Sequence, residues 1–199
     1  MFSVVFVAAG LSSRMGEVNK LLVPVEGVSM VRRCVSVYVS LGMSVTVVLG
    51  FEAGKVGAAL AGLDVSIAEN PDYEDGQQGS VGVGLEAIAE PGEGLLIALA
   101  DQPFLTEADL AAYCDAFLAG ARDKIMVPYF ERARGNPVLF PAGCVERMLA
   151  EAGAFECRKF IGAHPELVSE YKAPNAHFTT DIDTQGDLAR LLAAGTPGQ

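Results

Sequence analysis

Four short apolar segments, each followed by a stretch with helical periodicity, limit most strongly how this chain can fold. The apolar segments are 3–8, 44–50, 64–68 and 94–100, and the helical stretches are 29–41, 52–61, 79–89 and 106–119. Apolar runs of this length are typical of parallel strands that are covered on both faces. Strands alternating with helices predict a layered α/β fold with a mostly parallel sheet and right-handed crossovers.

The alternation becomes less regular after Lys124. Two short strands flanking a polar loop indicate an antiparallel excursion from the main sheet. A T-x-x-D start at Thr184 and Asp187 predicts a last helix. The elements expected here are strands at 125–128 and 137–140, helices at 143–152 and 155–163, and extended pieces at 167–171 and 177–180.

Composition excludes several classes of protein. The 199 residues suffice for one substantial core and predict a single domain, 1–199. A net charge of −11 without any Lys/Arg block argues against nucleic-acid or anionic-membrane binding. No apolar run is long enough to span a membrane and the N-terminus lacks a basic leader, so we expect a cytoplasmic protein. The four cysteines form no CxxC pair and no metal-ligand spacing with the two histidines, which predicts reduced thiols and structural histidines.

The loop after the first strand combines small residues with two isolated cations. Small residues allow backbone amides to approach a ligand, hydroxyls add donors, and an arginine and a lysine suit phosphate oxygens. The spacing is not that of a P-loop, since the lysine comes four positions after the second glycine. A G-x-G-x-x-A match at 82–87 follows a polar loop, where the dinucleotide fingerprint needs a strand, and we discount it. The predicted phosphate-binding residues are Ala8, Ala9, Gly10, Ser12, Ser13, Arg14 and Lys20.

Two carboxylates are candidate ligands for Mg²⁺. Asp101 follows a buried strand and precedes a proline, at the edge of the sheet where open α/β folds bind ligands. Thr106 supplies the cap of the next helix, which leaves Asp101 available for Mg²⁺. The second carboxylate comes from Asp181 or Asp183, and we choose Asp183 because it lies nearer the last helix.

Two further loops have more than one interpretation. The loop 70–80 offers amide, hydroxyl and backbone groups suited to a nucleobase at Gly76, Gly79 and Ser80, but it also fits a plain strand–helix connection. The segment 134–137 fits either a hairpin turn or a contact with a second substrate.

Five motifs in order resemble those of the MobA-like nucleotidyltransferases, and within them the molybdenum cofactor cytidylyltransferases. They are VAAGLSSRMGEVNK at 7–20, with one extra residue before the lysine, DGQQGSV at 75–81, ADQP at 100–103, RGNPVLF at 134–140 and DIDTQGDL at 181–188. The resemblance implies a Rossmann-like three-layer αβα sandwich of the nucleotide-diphospho-sugar transferase type. It also implies a nucleotide-binding part at 1–105 and an acceptor-binding part at 125–180.

The resemblance further implies an activity. The Ala-Ala-Gly form of the first motif goes with CTP, so the expected reaction transfers CMP from CTP to the phosphate of molybdopterin or the molybdenum cofactor and releases pyrophosphate. The catalytic residues would be Arg14, Lys20 and Asp101, with Mg²⁺ on Asp101 and Asp183, and a molybdoenzyme could receive the product. The resemblance places acceptor-binding residues at Arg134, Asn136 and Arg158.

One departure from the family pattern leaves the acceptor open. The family carries G-D-x-G-A-R where this chain has GAFECR at 153–158, which lacks the acidic residue and the inner glycine. A CTP- or GTP-dependent transferase acting on another phosphorylated acceptor therefore remains an alternative. So does a non-catalytic chaperone that binds the nucleotide or the finished cofactor.

Overall fold

The computed structural model of the chain describes residues 1–11, 18–75, 77–120, 122–150 and 155–194, with the backbone alone at 75, 77, 78 and 191–194. Ten strands are present in these ranges: β1 Ser3–Ala8, β2 Pro24–Val25, β3 Val28–Ser29, β4 Ser44–Leu49, β5 Ser66–Glu69, β6 Gly94–Leu99, β7 Ile125–Phe130, β8 Ala133–Arg134, β9 Val138–Pro141 and β10 Val168–Lys172. Seven α-helices accompany them: α1 Met30–Ser40, α2 Ala53–Ala59, α3 Gln77–Ala87, α4 Glu107–Ala119, α5 Ala142–Ala150, α6 Cys157–Ala163 and α7 Gln185–Ala194.

The strands form one mixed sheet in the order β10-β7-β9-β6-β1-β4-β5, and β8 extends the edge of β7. β1 pairs in parallel with both β4 and β6, whereas β9 runs antiparallel to β6 and β7. The predicted α/β fold with a small antiparallel excursion is confirmed. β1 lies between β4 and β6, so the chain leaves it first to one side and later to the other. The carboxyl ends of β1 and β6 therefore meet at a topological switch point, where such folds bind ligands.

Two apolar clusters cover the two faces of the sheet. Alternate residues of β1 supply both, because Val4 and Phe6 pack with α1, α2 and α4, while Val5 and Val7 pack with α3, α5 and α6. Strand side chains alternate between faces, so a fully apolar strand is buried on both sides. This arrangement is the expected three-layer sandwich.

Three local expectations need correction. The segment 64–68 is not covered on both faces, because β5 is the outermost strand of the sheet and its residues are mostly exposed. Segment 177–180 is not extended, because Ala176–Thr179 forms a 3-10 helix whose N-cap, Asn175, accepts a hydrogen bond from the His177 amide. Gly79 and Ser80, which the loop 70–80 also included, belong to the first turn of α3, so the helix expected at 79–89 is present and begins earlier, at Gln77. The predicted caps are present at Thr106 and Thr184, and all four cysteines are free thiols. No helix in the described part of the chain has the length and apolarity needed to span a membrane.

Candidate active site

A cavity of about 510 Å³ opens at the carboxyl ends of β1 and β6. The structure brings to its wall residues that lie far apart in the sequence. The predicted site residues that line it are Ala8, Ala9, Gly10, Lys20, Ser80, Asp101, Asn136, Arg158 and Asp183. The phosphate, metal, nucleobase and acceptor predictions therefore converge on one cavity.

Backbone contacts fix the floor of this cavity next to β1. The Ala9 carbonyl accepts a hydrogen bond from the Phe51 amide, and the Val7 carbonyl accepts one from the Ala100 amide. A side chain at Gly10 would meet none of the described residues within 4 Å, so the backbone there is not packed against them. An anionic ligand can approach this backbone closely. Ser12, Ser13 and Arg14, which we predict to complete the cradle, lie outside the described residues.

Lys20 is the central cation of the described site. Its Nζ donates hydrogen bonds to Asp101 Oδ2 at 2.8 Å, to Asp183 Oδ1 at 2.9 Å and to the Ile182 carbonyl at 3.1 Å. Asn19 caps the 3-10 helix Lys20–Leu22, because its side-chain oxygen accepts a hydrogen bond from the Leu21 backbone amide. This cap fixes the backbone position from which the Lys20 side chain extends. The Ile182 amide donates to the Asp101 carbonyl at 2.9 Å and holds the two acidic segments side by side.

Burial and charge act in opposite directions on Lys20. Burial lowers the pKa of its ammonium, but attraction to Asp101, with hydrogen bonds to Asp101 and Asp183, outweighs burial and raises that pKa. The side chain is only 14% exposed. Lys20 therefore stays charged throughout the neutral range, next to two carboxylates.

The two carboxylates suit a divalent cation. Asp101 Oδ1 is buried and has no hydrogen-bond partner within the described residues, which leaves one oxygen available beside Lys20. Magnesium commonly takes one or two protein carboxylates and completes its shell with phosphates and waters. Among the described residues no group of three or more His, Cys, Asp or Glu could hold a metal ion. Asp101 and Asp183 thus fit a cation that a nucleotide helps to bind.

Asp181 and Gln102 also belong to this region, and our sequence reasoning did not choose them. Asp181 lines the cavity, and its Oδ1 accepts a hydrogen bond from Gln102 Nε2 at 2.8 Å. Asp181 as a whole is exposed, yet its carboxyl group is partly enclosed. Burial, followed by repulsion from Asp101, raises the pKa of that carboxyl. The D-x-D and D-Q-P spacings were the signals that could have pointed to both residues.

The three predicted nucleobase residues differ in where they lie relative to the cavity. Ser80 is 1% exposed, and its hydroxyl accepts a hydrogen bond at 3.0 Å from Nδ2 of Asn70, which is also buried. Gly79 stands beside Asn70 in the first turn of α3, away from the cavity lining. Gly76 lies outside the described residues. The aromatic residue Tyr73 also lines the cavity.

The predicted acceptor residues are also divided. Asn136 and Arg158 line the cavity, and the Arg158 side chain adds a second cation to its wall. Arg134 lies on β8, where it pairs with Tyr129, and it does not line the cavity. Gly153 and Ala154, which begin the GAFECR segment that departs from the family pattern, lie outside the described residues.

Most residues of this site lie in a part of the chain that matches a known family domain. The MobA-like NTP transferase domain matches residues 4–168, which include all but the last acidic segment of the site. The chain belongs to the MobA-like NTP transferase family. It is thus a nucleotidyltransferase-family protein, as its motifs predict.

Two curated relatives span nearly the whole chain. The nicotine blue oxidoreductase of Paenarthrobacter nicotinovorans is 30% identical, over 94% of this chain and 95% of that protein. The molybdenum cofactor cytidylyltransferase of Escherichia coli K12 is 25% identical, over 92% of each chain. The family thus includes proteins named for different reactions.

Solved structures agree on the fold. The crystal structure of Rv0371c from Mycobacterium tuberculosis H37Rv superposes with a TM-score of 0.79 at 26% identity, covering 97% of this chain and 98% of that one. A manganese complex of the same protein superposes with a TM-score of 0.75 at 25% identity, covering 97% of this chain and 98% of that one. This chain has the fold of the nucleotide-diphospho-sugar transferases.

Proposed function

We propose that this protein transfers CMP from CTP to the phosphate of molybdopterin or the molybdenum cofactor and releases pyrophosphate. The observation that carries the proposal is Lys20, whose ammonium joins Asp101 and Asp183 on the wall of a cavity at the switch point of the sheet. The choice of CTP is supported by Ala9 in the first motif and by the cytidylyltransferase named among the relatives. We propose the cytoplasm as its location.

In the proposed reaction, an oxygen of the acceptor phosphate attacks the α-phosphorus of CTP. A new P–O bond forms as the α–β anhydride bond breaks, and the electron pair leaves with pyrophosphate. Two anions must come together, and at an effective dielectric constant near 20 two unit charges about 4 Å apart repel by about 4 kcal/mol. The main work of the site is therefore to offset negative charge.

The residues of this chain would divide that work. The backbone of Ala9 and Gly10 would receive the phosphates, and Lys20 would neutralise the charge that develops on them. We propose the same charge-neutralising role for Arg14. Asp101 and Asp183 would hold a divalent metal ion, Mg²⁺ in our proposal, and this ion supplies Lewis-acid charge to the phosphates when bound. No residue need form a covalent intermediate.

The acceptor would enter from the side of Asn136 and Arg158. Asn136 can donate and accept hydrogen bonds, and the Arg158 guanidinium can bind a phosphate in a bidentate manner. Arg134, which we predicted from its motif, lies outside the cavity lining and has the weaker support of the three. Because residues 153–158 depart from the family pattern, another phosphorylated acceptor is the alternative within the same reaction class.

Pyrophosphate release tests the proposal directly. The purified protein is incubated with CTP, GTP or ATP, with Mg²⁺ or Mn²⁺, and with molybdopterin or another phosphorylated acceptor. We expect acceptor-dependent pyrophosphate release with CTP and its loss in EDTA. Nucleotide binding without release in any combination would favour the non-catalytic chaperone.

An oxidoreductase is the second candidate, because the relative with that name is 30% identical over 94% of this chain. The paired carboxylates around Lys20 favour phosphate chemistry instead, since hydride transfer has no evident need for them. Oxidation of NADH or NADPH in the presence of an added electron acceptor distinguishes the two candidates. Turnover of the reduced nucleotide without any pyrophosphate release would overturn the transferase proposal.

A further inference from the structure

The backbone carbonyl of Phe178 links two chain segments that reach the cavity. It accepts a hydrogen bond from Gln102 Nε2 at 2.9 Å and another from the Asn136 amide at 2.9 Å. Gln102 directly follows Asp101, and Asn136 lines the proposed acceptor side. One carbonyl thus links the segment after β6, which carries Asp101, to the segment that carries Asn136.

Gln102 also contacts the second acidic segment. The same Nε2 donates to Asp181 Oδ1 at 2.8 Å, while the Ile182 amide donates to the Asp101 carbonyl at 2.9 Å. The side chain of Gln102 is buried, and its Oε1 has no hydrogen-bond partner within the described residues. Both of the hydrogen bonds that Nε2 donates therefore end on the chain segment that leads to Asp183.

Phe178 gives this junction a fixed reference point. Its ring is fully buried and meets Tyr113 and Tyr171 edge-on, with centroids 5.5 Å and 5.8 Å away. A Cβ atom at Gly135 would lie 2.2 Å from the Phe178 oxygen, so only glycine allows the neighbouring strand end to approach. A side chain hydrogen-bonded to this carbonyl is therefore held against a buried, closely packed part of the core.

We infer that Gln102 is a positioning residue that sets where the carboxylate of Asp183 lies relative to that of Asp101. It acts through Phe178 and Asp181 and does not itself contact the substrate or the metal. The inference rests on the proposed function, because it concerns the two carboxylates assigned there to the metal. Outer-shell groups that orient metal ligands typically change metal affinity or activity by about 10- to 100-fold when they are replaced.

A purely structural role would make a different prediction. The 3-10 helix Ala176–Thr179 is also held from its other end, where Asn175 Nδ2 donates to Asp109 Oδ1 and His177 Nδ1 contacts Asp109 Oδ2, each at 2.8 Å. Asn175 makes no contact with Asp181 among the hydrogen bonds of the described residues. Removing its amide loosens the same helix while leaving the Gln102 contacts in place.

The experiment therefore compares Gln102→Met with the matched control Asn175→Leu. Methionine keeps the length and approximate volume of glutamine but cannot donate a hydrogen bond. Mn²⁺ affinity is measured by electron paramagnetic resonance with and without a saturating non-hydrolysable CTP analogue, and the Mg²⁺ concentration for half-maximal turnover is measured with saturating CTP. Thermal unfolding of both variants reports how much each loosens the fold.

We expect Gln102→Met to weaken Mn²⁺ binding about 10-fold and to raise the half-activating Mg²⁺ concentration similarly. The KM for CTP should change less than about twofold, because the substitution leaves unchanged the residues that are proposed to bind the nucleotide. Asn175→Leu should lower the unfolding temperature without changing either metal constant. If Gln102→Met does not fold, Gln102→Asn, whose shorter amide cannot reach both acceptors, should show the same metal effect.

Two results would overturn the inference. One is wild-type metal affinity in a folded Gln102 variant, and the other is an equal loss in Asn175→Leu. A wild-type protein that binds Mn²⁺ but never releases pyrophosphate would overturn the proposed function alone, because the metal measurement still tests Gln102. A wild-type protein that binds no Mn²⁺ even when the CTP analogue is present would overturn both.

Discussion

The ammonium of Lys20 lies 2.8 Å from the carboxylate of Asp101, although 81 positions separate the two residues in the chain. The lysine begins a short 3-10 helix beyond β1, and the aspartate follows β6. Parallel pairing of β1 with β6 brings their carboxyl ends to one edge of the sheet. Asp183 joins the pair from the start of the last helix.

Replacing Lys20 by methionine should affect activity and stability separately. Turnover should fall about 100-fold or more, since removing one charge-stabilising donor from an active site typically costs that much. Without the ammonium, Asp101 and Asp183 lose the cation that they share, and the free energy of unfolding should fall by about 1 to 3 kcal/mol. A divalent ion can replace the lost charge, so Mn²⁺ should raise the unfolding temperature more in Lys20→Met than in the wild type.

Lys55→Met is the control for this experiment. Lys55 is 70% exposed and pairs with Glu52 on the surface, where ion pairs contribute little. It should unfold like the wild type and keep full turnover. An unchanged metal response in Lys20→Met would show that Lys20 does not occupy a position where a cation is needed.

Asp101→Asn should remove metal-dependent turnover while the fold remains intact. The amide keeps the shape of the side chain but removes one of the two charges proposed to hold the metal. We expect a loss of at least about 100-fold in kcat/KM and circular dichroism like that of the wild type. The checks are pyrophosphate release across a Mg²⁺ titration and the response to EDTA. Normal turnover in EDTA would remove the metal from the mechanism.

Gly50→Ala should weaken the nucleotide site through packing. A Cβ atom there would lie 2.5 Å from the Cβ of Tyr73 and 2.8 Å from the Ala9 carbonyl oxygen. Relieving these clashes must move the aromatic wall of the cavity or the cradle after β1, at a cost of about 1 to 3 kcal/mol of unfolding free energy. We expect weaker CTP binding by isothermal calorimetry together with a lower unfolding temperature.

Gly54→Ala provides a matched glycine replacement a few residues away. Gly54 lies in α2, and a Cβ atom there would have no atom of the described part of the chain within 4 Å. Alanine is the better helix former, so this variant should gain about 0.5 to 1 kcal/mol and bind CTP normally. Equal CTP affinity in the two variants would contradict the packing argument.

Asp109→Asn should destabilise the protein in a pH-dependent way. Burial raises the pKa of the Asp109 carboxyl, but hydrogen bonds from Asn175, His177 and Thr106 outweigh burial and lower the pKa below its ordinary value of 3.8. A carboxyl whose folded-state pKa is lowered contributes stability above pH 3.8 and loses that contribution as the pH falls through the folded-state pKa. The variant should be less stable by about 1 to 2 kcal/mol at pH 7, with the difference shrinking below pH 3.8. Urea unfolding at pH 7, 5 and 3 measures this, and a constant difference would contradict it.

The sequence by itself determined the layered fold and most of the candidate site. Apolar runs such as 3–8 and 94–100 can be satisfied only by strands that are covered on both faces, and the alternating helices supply the cover. A capping box such as that of Thr106 is a local signal, because its hydrogen bonds join residues three positions apart. Lys20 and Asp101 were predictable because each follows a strand and carries a charge that an apolar strand end does not need.

Only the tertiary structure decided which side chains meet. The contact of Gln102 with Phe178 and Asp181 joins residues more than 75 positions apart, and no local pattern encodes such a pairing. The motif of Arg134 likewise predicts a binding role, but it does not encode that Arg134 pairs with Tyr129 on β8 and is not among the residues that line the cavity. Local propensity depends on neighbours in sequence, whereas the distances within a site depend on how separate strands and loops pack.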